Sequence, residues 1–496
     1  MYINSYFREV KAELHSDNNI LFPFPEIYLR HYGSQPDVIL KNLEKNAEVV
    51  FTKYENFDRK NLVEILKAQN NFLNNESVNK NIAKLSDKNT FTVCTGHQLC
   101  LTGGPLFFTY KIISTIKLAK QFSENFPGKV FVPVFWMASE DHDVEEISSF
   151  QLFGKKIEWK TDQTGAVGRF TTNGIEKVIE ELKSVKGNSP GADEFIAICE
   201  KAYAKGNSLA KATRIFVNEL FGEYGIVCVD GDDESLKKLF VPVMQKESAD
   251  EIVFNTVSQK NKQLESSGIK PQVNPRKINL FYLSQNNRKR IEKTADGNFT
   301  EHEGQKKWSK EELQNEINTN PQNFSPNVLM RPLYQQTILP NVAYVGGPGE
   351  IAYWMQLPEL FQDLNIPFPA VYPRKSIIII DEQQQEKMKK FNLAYADLMK
   401  NADELINKFV KKEDAPVSLE EEKQKWEKEF LSLASKIKRE DTNLEANVLA
   451  ESKSIKKYLE HLEEKLIRSK KHKHEQEINQ LKHLKEKLFP GGEMQE

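Results

Sequence analysis

Four cysteines in 496 residues are too few to staple a chain of this size, so a disulfide scaffold is excluded and a reducing, cytoplasmic setting is expected. Long hydrophobic runs are missing too. VFVPVFWMA (130–138) and SIIIID (376–381) are among the longest apolar stretches, and a membrane-spanning helix needs about 20 such residues. Neither sign of charge dominates: 69 Lys and Arg against 71 Asp and Glu leave a formal −2, so no global field draws the chain to nucleic acid or a membrane. The start, MYINSYFREVKAEL, is charged and has no apolar h-region, which argues against a secretory signal.

What is present suits a large enzyme core. The 39% hydrophobic content suffices for it, and the length allows two or three domains. A polar helical stretch covers roughly 36–86. TFTVCTG (90–96) reads as a buried strand, HQLCLTGGP as a loop, FFTYKIISTIKLAKQF (107–122) as a helix and KVFVPVFWMAS (129–139) as a second buried strand. This is a βαβ unit with parallel strands. Residues at about 150–225 look like an insert. GIVCVDGDD (225–233) reads as another strand, and about 255–325 reads as polar, mixed strand and turn. The core style returns over 328–361 as strand, Gly-Pro turn and helix, and AVYPRKSIIIID (370–381) closes it with a strand. The expected division is an α/β core over 1–381, a helical arm over 382–490 and a tail over 491–496.

In the arm, Met388, Phe391, Tyr395, Leu398, Ala402, Leu405 and Phe409 alternate at 3,4 spacing, a coiled-coil seam. The linker KKEDAPVS follows, and Ser418 with Glu421 forms a capping box for the next helix. Trp426, Phe430, Leu433 and Ile437 repeat the spacing. So do Val448, Ser452, Ile455, Leu459, Leu462 and Leu466, until SKKHKHE (469–475) interrupts them and Ile478, Leu481, Leu484 and Leu488 resume. Short breaks between long helices predict an antiparallel hairpin or three-helix arm.

Three motifs carry candidate chemistry. TGHQLCLTGGP presents backbone N–H groups that suit an anion, with Gly103 and Gly104 allowing close approach and Lys111 just inside the next helix. No GK[ST] follows, so it is not a Walker loop, and an ordinary tight turn is the alternative. SEDHD (139–143) lies at a strand's carboxyl end, where Glu140, Asp141, His142 and Asp143 could hold an ammonium or Mg²⁺ or supply a base. The alternative is a solvated loop capping a helix. GGPGE (346–350) is a second Gly-rich turn, with Gly346, Gly347 and Gly349 and with Glu350 in the first helical turn. Arg331 and Arg374 each flank a proline and are candidates for carboxylate or phosphate recognition, or are structural. Cys94, His97 and Cys100 have metal-ligand spacing, but strand alternation and the glycines argue against convergence and no second C-x-x-C exists. Zinc is therefore not expected, and no metal ligand is assigned.

TGHQLCLTGGPLFFTYKIISTIKLAK, PVFWMASEDHDVEEI, LMRPLYQQTILPNVAYVGGPGEIAYW and PAVYPRKS resemble, in this order, the bacillithiol-synthesis cysteine-adding enzymes. The resemblance extends through the coiled-coil tail to LFPGGEMQE, beyond which members of that family usually continue with a further terminal segment. It implies a Rossmann-like nucleotidyltransferase core, similar to class I aminoacyl-tRNA synthetases, with inserted connecting segments and a dimerising helical arm. PRKS is not assigned the role of those enzymes' lysine-containing ATP loop. The implied reaction joins the cysteine carboxyl to the amine of glucosaminyl-malate, with ATP or ADP as nucleotide and Mg²⁺ as its companion.

On this reading His142, Asp143 and Asp141 are the catalytic candidates. Gly96, His97, Gln98, Glu140, Arg331, Tyr344, Glu350, Tyr353 and Arg374 would bind substrate; Gly103, Gly104, Lys111, Gly346, Gly347 and Gly349 would bind the nucleotide. A nucleotide-binding regulator or hydrolase, or a non-enzymatic coiled-coil scaffold, are the competing readings.

Overall fold

The computed structural model describes residues 26–496 except 33–35, 56, 153, 188–189, 414–418, 442, 493 and 496. The readings placed on the first 25 residues and the Ser418 cap lie outside the described residues. The chain divides into two compact units, Met1–Ser376 and Ile377–Glu496.

Among the described residues the first unit has twelve strands: β1 (Thr90–His97), β2 (Val130–Met137), β3 (Ser149–Leu152), β4 (Lys155–Glu158), β5 (Val227–Asp230), β6 (Leu280–Leu283), β7 (Arg288–Lys293), β8 (Phe299–Glu301), β9 (Lys307–Trp308), β10 (Phe324–Pro326), β11 (Asn341–Gly346) and β12 (Ala370–Pro373). The central sheet has the order β12-β11-β1-β2-β5, and every pair in it is parallel. Parallel strands covered on both faces need apolar side chains on both. β2 supplies them: Val132, Val134 and Trp136 join one buried cluster, whereas Phe135 and Met137 join the other. The crossover from β1 to β2 is the helix Leu106–Asn125, as its spacing predicts.

The first insert holds the β3–β4 hairpin and three helices, Ile175–Val185, Pro190–Ala202 and Leu209–Phe221. The second departs from its sequence reading. It opens with a helix, Ile252–Ser266, and contains another, Lys310–Thr319, capped by Ser309 and Glu312. Between them lie β6 to β9 of an antiparallel sheet ordered β10-β6-β7-β8-β9, whose edge strand β10 follows the second helix. A polar helix with a narrow apolar face, here Val253, Val257 and Leu264, gives a weak periodic signal. The segment before β11 is also a helix, Arg331–Ile338, and the closing strand stops at Pro373, leaving 374–381 outside regular structure.

In the second unit the first seam is not one helix. Glu382–Lys390 and Ala402–Glu413 are helices joined by a 3-10 turn, Tyr395–Met399, although Met388, Phe391, Leu398 and Leu405 are buried as the spacing demands. Glu420–Glu440 and Glu445–Lys473 pack against each other as a hairpin, tied by Lys423 to Glu463 at 2.6 Å. The basic stretch ends that helix, and Glu475–Leu488 follows with Ile478, Leu481, Leu484 and Leu488 buried. Among the described residues no helix is long and apolar enough to cross a membrane.

Candidate active site

From β1 the chain runs outward through β2 to β5, then returns to β1's other side to form β11 and β12. The strand order thus reverses between β1 and β11, and open α/β sheets bind ligands outside the carboxyl ends of strands at such a reversal. A cavity of about 700 Å³ opens there. One wall comes from the ends of β1, β2 and β11, and the other from residues 273–290 of the second insert.

The central-sheet wall is a connected polar network built around one ion pair. Lys111 is buried, donates to the Gly96 carbonyl at 3.0 Å and forms an ion pair with Glu350. Glu350 also accepts from Gly347 N–H at 2.9 Å and from the Tyr344 hydroxyl at 2.7 Å. Burial pushes this carboxyl up, but the Lys111 charge and these donors hold it below the usual range, so it stays ionised. Arg331, at the start of its helix, bonds Gln335 at 3.0 Å and reaches the Tyr353 and Tyr344 hydroxyls at 3.3 and 3.4 Å. A Cβ on Gly96 would stand 3.4 Å from both Arg331 Nη1 and the Tyr344 hydroxyl, which places this strand end directly against the guanidinium. Arg374 follows β12, donates its backbone N–H to the Gly346 carbonyl at 2.8 Å, bonds Ser376 at 2.9 Å and lies 5.3 Å from the Phe107 ring centroid.

The acidic turn after β2 does not converge as one set. Glu140 is buried against Lys237 at 2.9 Å, and burial pushes its carboxyl up despite that charge. Asp141 meets Arg288 at 3.3 Å. Burial raises it too, but bonds to His142 and the Arg288 charge outweigh that and leave it below the usual range. His142 is exposed, with Nδ1 3.1 Å from Arg288. Asp143 caps the short helix Val144–Ile147 through Glu146 N–H. Glu140 and Asp141 line the cavity; His142 and Asp143 do not. The turn is held from outside by the first insert, whose Gly168 donates to Ser139 O at 2.8 Å. A Cβ on Gly168 would fall 2.5 Å from Ser139 Cβ, so only glycine allows this approach.

Gly96, His97, Gln98, Lys111, Arg331, Tyr344, Gly347, Gly349, Glu350, Tyr353 and Arg374 are thus brought to one cavity, as the three motifs suggest. Gly103, Gly104 and Gly346 are not on its lining. Gly103 has φ +69°, and a Cβ there would meet Phe216 at 2.9 Å; Gly104 packs on Phe150 in the same way. Gly103 thus abuts the helix Leu209–Phe221, and Gly104 abuts β3. Cys94 and Cys100 belong to different core clusters.

The residues missing from the sequence reading lie on the insert: Arg276, Arg288, Arg290, Asn279 and Asn327, with Glu146 beside the acidic turn. Arg288 and Arg290 are two apart in a strand and so share a face, a signal available in RKR once the segment is read as a strand. Arg288 donates to the Pro326 carbonyl at 3.0 Å and lies 3.9 Å from the Phe281 ring centroid. Beneath them Glu247, fully buried, accepts from Asn279 N–H and Nδ2 at 2.8 and 2.9 Å. Asn327 donates to Asn279 and accepts from Leu329 and Met330 N–H groups, fixing the entry to the Arg331 helix.

The fold and cavity define a Rossmann-like protein with an open cavity at its strand-order switch and a separate helical coiled-coil unit. The family model described as the N-terminal Rossmann-like domain of bacillithiol biosynthesis BshC matches residues 32–375, and that for its C-terminal coiled-coil domain matches 377–496. The chain belongs to this family of bacillithiol-biosynthesis enzymes. Proteins named "Putative cysteine ligase BshC" are similar over most of its length. That of Cytophaga hutchinsonii is 42% identical over 437 residues, 88% of this chain and 82% of the relative. Those of Flavobacterium johnsoniae and Christiangramia forsetii are 39% and 38% identical, over 92% and 97% of this chain and 86% and 88% of theirs.

Proposed function

We propose that the protein joins cysteine, through its carboxyl, to the amine of glucosaminyl-malate. The observation that carries this reading is the charge state of the insert wall. The guanidiniums of Arg276 and Arg290 line the cavity and make no ion pair among the described residues, whereas Lys111 is tied to Glu350 and Arg288 to Asp141. Two uncompensated guanidiniums beside one cavity suit a dianion, and the malate portion is a dicarboxylate. The relatives' shared name, cysteine ligase, supports the other half of the reaction.

A carboxylate is not attacked by an amine as it stands, so cysteine must first be activated by a nucleoside triphosphate, which we take to be ATP with Mg²⁺. Phe107 with Arg374, and the Gly347 and Gly349 backbone, are the groups available to hold the nucleotide. Gly349 has no atom within 4 Å of a would-be Cβ, so a ligand can approach the chain there. Zinc has no part in this reading. The setting is cytoplasmic, in keeping with four cysteines that are all free thiols.

We also propose that two copies pair through the hairpin. Trp426, Leu433, Tyr458 and Leu466 are exposed along it, and large apolar side chains repeated on one pair of helices suit a partner helix. The test of function is one incubation of purified protein with cysteine, glucosaminyl-malate and ATP–Mg, read by mass for the amide thiol. ATP hydrolysis without that product would sink the ligase reading and favour a hydrolase.

A further inference from the structure

The amine that attacks an activated carboxyl must give up a proton, and the groups around the cavity differ in their freedom to take it. Glu140 and Glu350 each hold a lysine, and Asp141 holds Arg288 and the His142 N–H. His142 is exposed and Asp143 is a helix cap, both off the lining. His97 is placed differently. It is the last residue of β1, buried, and on the cavity wall next to Gly96. Its ring lies against Phe107 and Phe108, with centroids at 5.3 and 5.4 Å, so its orientation is set by packing.

Nδ1 stands 3.1 Å from the Gln98 carbonyl oxygen. A carbonyl only accepts, so Nδ1 carries the hydrogen and Nε2 keeps its lone pair. Cys100 Sγ, 3.6 Å from the same Nδ1, is a buried thiol pushed up to about 12 by desolvation and offers no competing charge. Nε2 has no hydrogen-bond partner among the described residues. Burial first, and the Lys111 charge second, push the imidazole down to about 3, so the ring is neutral throughout the physiological range and its acceptor is always available.

Resting on the ligase reading above, we propose that His97 Nε2 is the acceptor for the substrate amine: it orients the neutral amine and takes its proton as the amide forms. The N–C bond forms as the C–O bond to the nucleotide-derived phosphate breaks. The electron pair leaves with that phosphate, and the N–H proton passes to Nε2 and thence to solvent. A weakly basic acceptor fits this stage, because nitrogen becomes strongly acidic only once it has bonded to the carbonyl carbon, and a ring beside Lys111 releases the proton readily. Glu146 is the rival. It lines the cavity, has one oxygen held by Gln98 Nε2 at 2.9 Å, and is pushed up by burial and by the charges of Asp141 and Asp143.

The experiment separates activation from transfer. Hydroxylamine is a small neutral nucleophile that traps an activated cysteinyl carboxyl without a positioned acceptor, so hydroxamate reports activation and amide reports transfer. His97→Phe keeps a ring and removes the acceptor. It should retain hydroxamate formation within about 3-fold while amide formation falls about 100-fold or more, the usual scale for a lost proton acceptor. His97→Gln, which offers an oxygen near the Nε2 position, should fall between the two, and serves alone if the Phe variant does not fold. Glu146→Gln should leave the amide-to-hydroxamate ratio near that of the unmodified protein. A ratio unchanged in the His97 variants overturns the proposal, as does equal loss of both products, which would move His97 to the activation step. A ratio that falls only in Glu146→Gln would hand the role to the carboxylate. Absence of both products from the unmodified protein would instead remove the ligase reading itself.

Discussion

Lys237→Met deletes a buried cation that stands between two buried carboxylates. Lys237 is 1% exposed and lies 2.9 Å from Glu140 and 2.8 Å from Asp232. Burial pushes its ammonium down, but the two carboxylates outweigh that and hold it charged. Asp232 would keep a partner after the substitution, because Arg169 grips it through two bonds of 2.6 and 2.8 Å. Glu140 would not, and the deficit falls on it. Removing one member of a buried pair costs about 3–5 kcal/mol. A unit of this size has an unfolding entropy of roughly 0.75 kcal/mol per kelvin at its midpoint, so Tm should drop by about 4–7 °C.

The deficit should depend on pH. Glu140 already titrates above its ordinary value through burial, and losing Lys237 raises it further. A carboxyl whose folded pKa lies above its unfolded value of about 4.3 binds more protons folded than unfolded, so the variant gains stability as pH falls toward that value. Asp232 runs the other way. Burial raises it, but Lys237 and Arg169 leave it low, so its contribution is present above about 3.9 and fades only below the window of interest. Scanning fluorimetry at pH 7 and pH 5 should therefore show a large Tm difference at pH 7 that shrinks at pH 5. Adding Glu140→Gln should restore most of the loss. A drop under about 1 °C, an equal drop at both pH values, or no rescue by the second substitution would refute the reasoning.

Arg290→Ala should raise KM for the dicarboxylate amine by about 10–100-fold while KM for cysteine stays put, as expected for one lost charge-assisted pair; equal changes in both would place Arg290 elsewhere. Gly103→Ala should lower Tm by a few degrees, at about 2–3 kcal/mol for a left-handed position that also crowds Phe216, yet leave the turnover of folded enzyme unchanged. A selective rise in KM for ATP would return that loop to nucleotide binding. His142→Ala should keep activity within about 3-fold, since a base on the reaction path would cost 100-fold or more. Trp426→Asp with Leu433→Asp should convert a dimer to a monomer in sedimentation; an unaltered profile would show that the hairpin's exposed side does not pair.

How much of this was legible depends on where the signal resides. The parallel strands were readable because a strand buried on both faces is an unbroken run, as in VFVPVFWM. The two Gly-rich turns were readable because glycine and proline punctuate strand ends. The second insert was not, since Ile252–Ser266 and Lys310–Thr319 bury only a few apolar residues each and look polar along the sequence. Its arginines were accordingly not among the candidates. Within SEDHD the composition was plain, but which carboxylate faces the cavity depends on Lys237, about 100 residues away, and on Arg288, still further along. Spacing inside a motif cannot report such partners. Likewise the 3,4 spacing over 388–409 marked Met388, Phe391, Leu398 and Leu405 as buried, but it also included Tyr395, which is exposed, and did not show that a 3-10 turn interrupts the helix.

The two cavity walls are prepared for different work, and this follows from their pairing. On the central-sheet side Lys111, Glu350, Tyr344 and Arg331 satisfy one another, so a ligand arriving there must compete with bonds already made. Such a wall selects by geometry. On the insert side Arg276 and Arg290 line the cavity without carboxylate partners among the described residues. That wall is attractive to anions from a distance. The dianionic substrate should accordingly bind with a strong dependence on ionic strength, and cysteine, a zwitterion, with little. Competition by simple dicarboxylates should weaken between 50 and 300 mM salt while KM for cysteine remains level. A dicarboxylate inhibition constant indifferent to salt would mean that Arg276 and Arg290 do not meet the anion, and the assignment of the insert as the dicarboxylate-binding wall would fall with it.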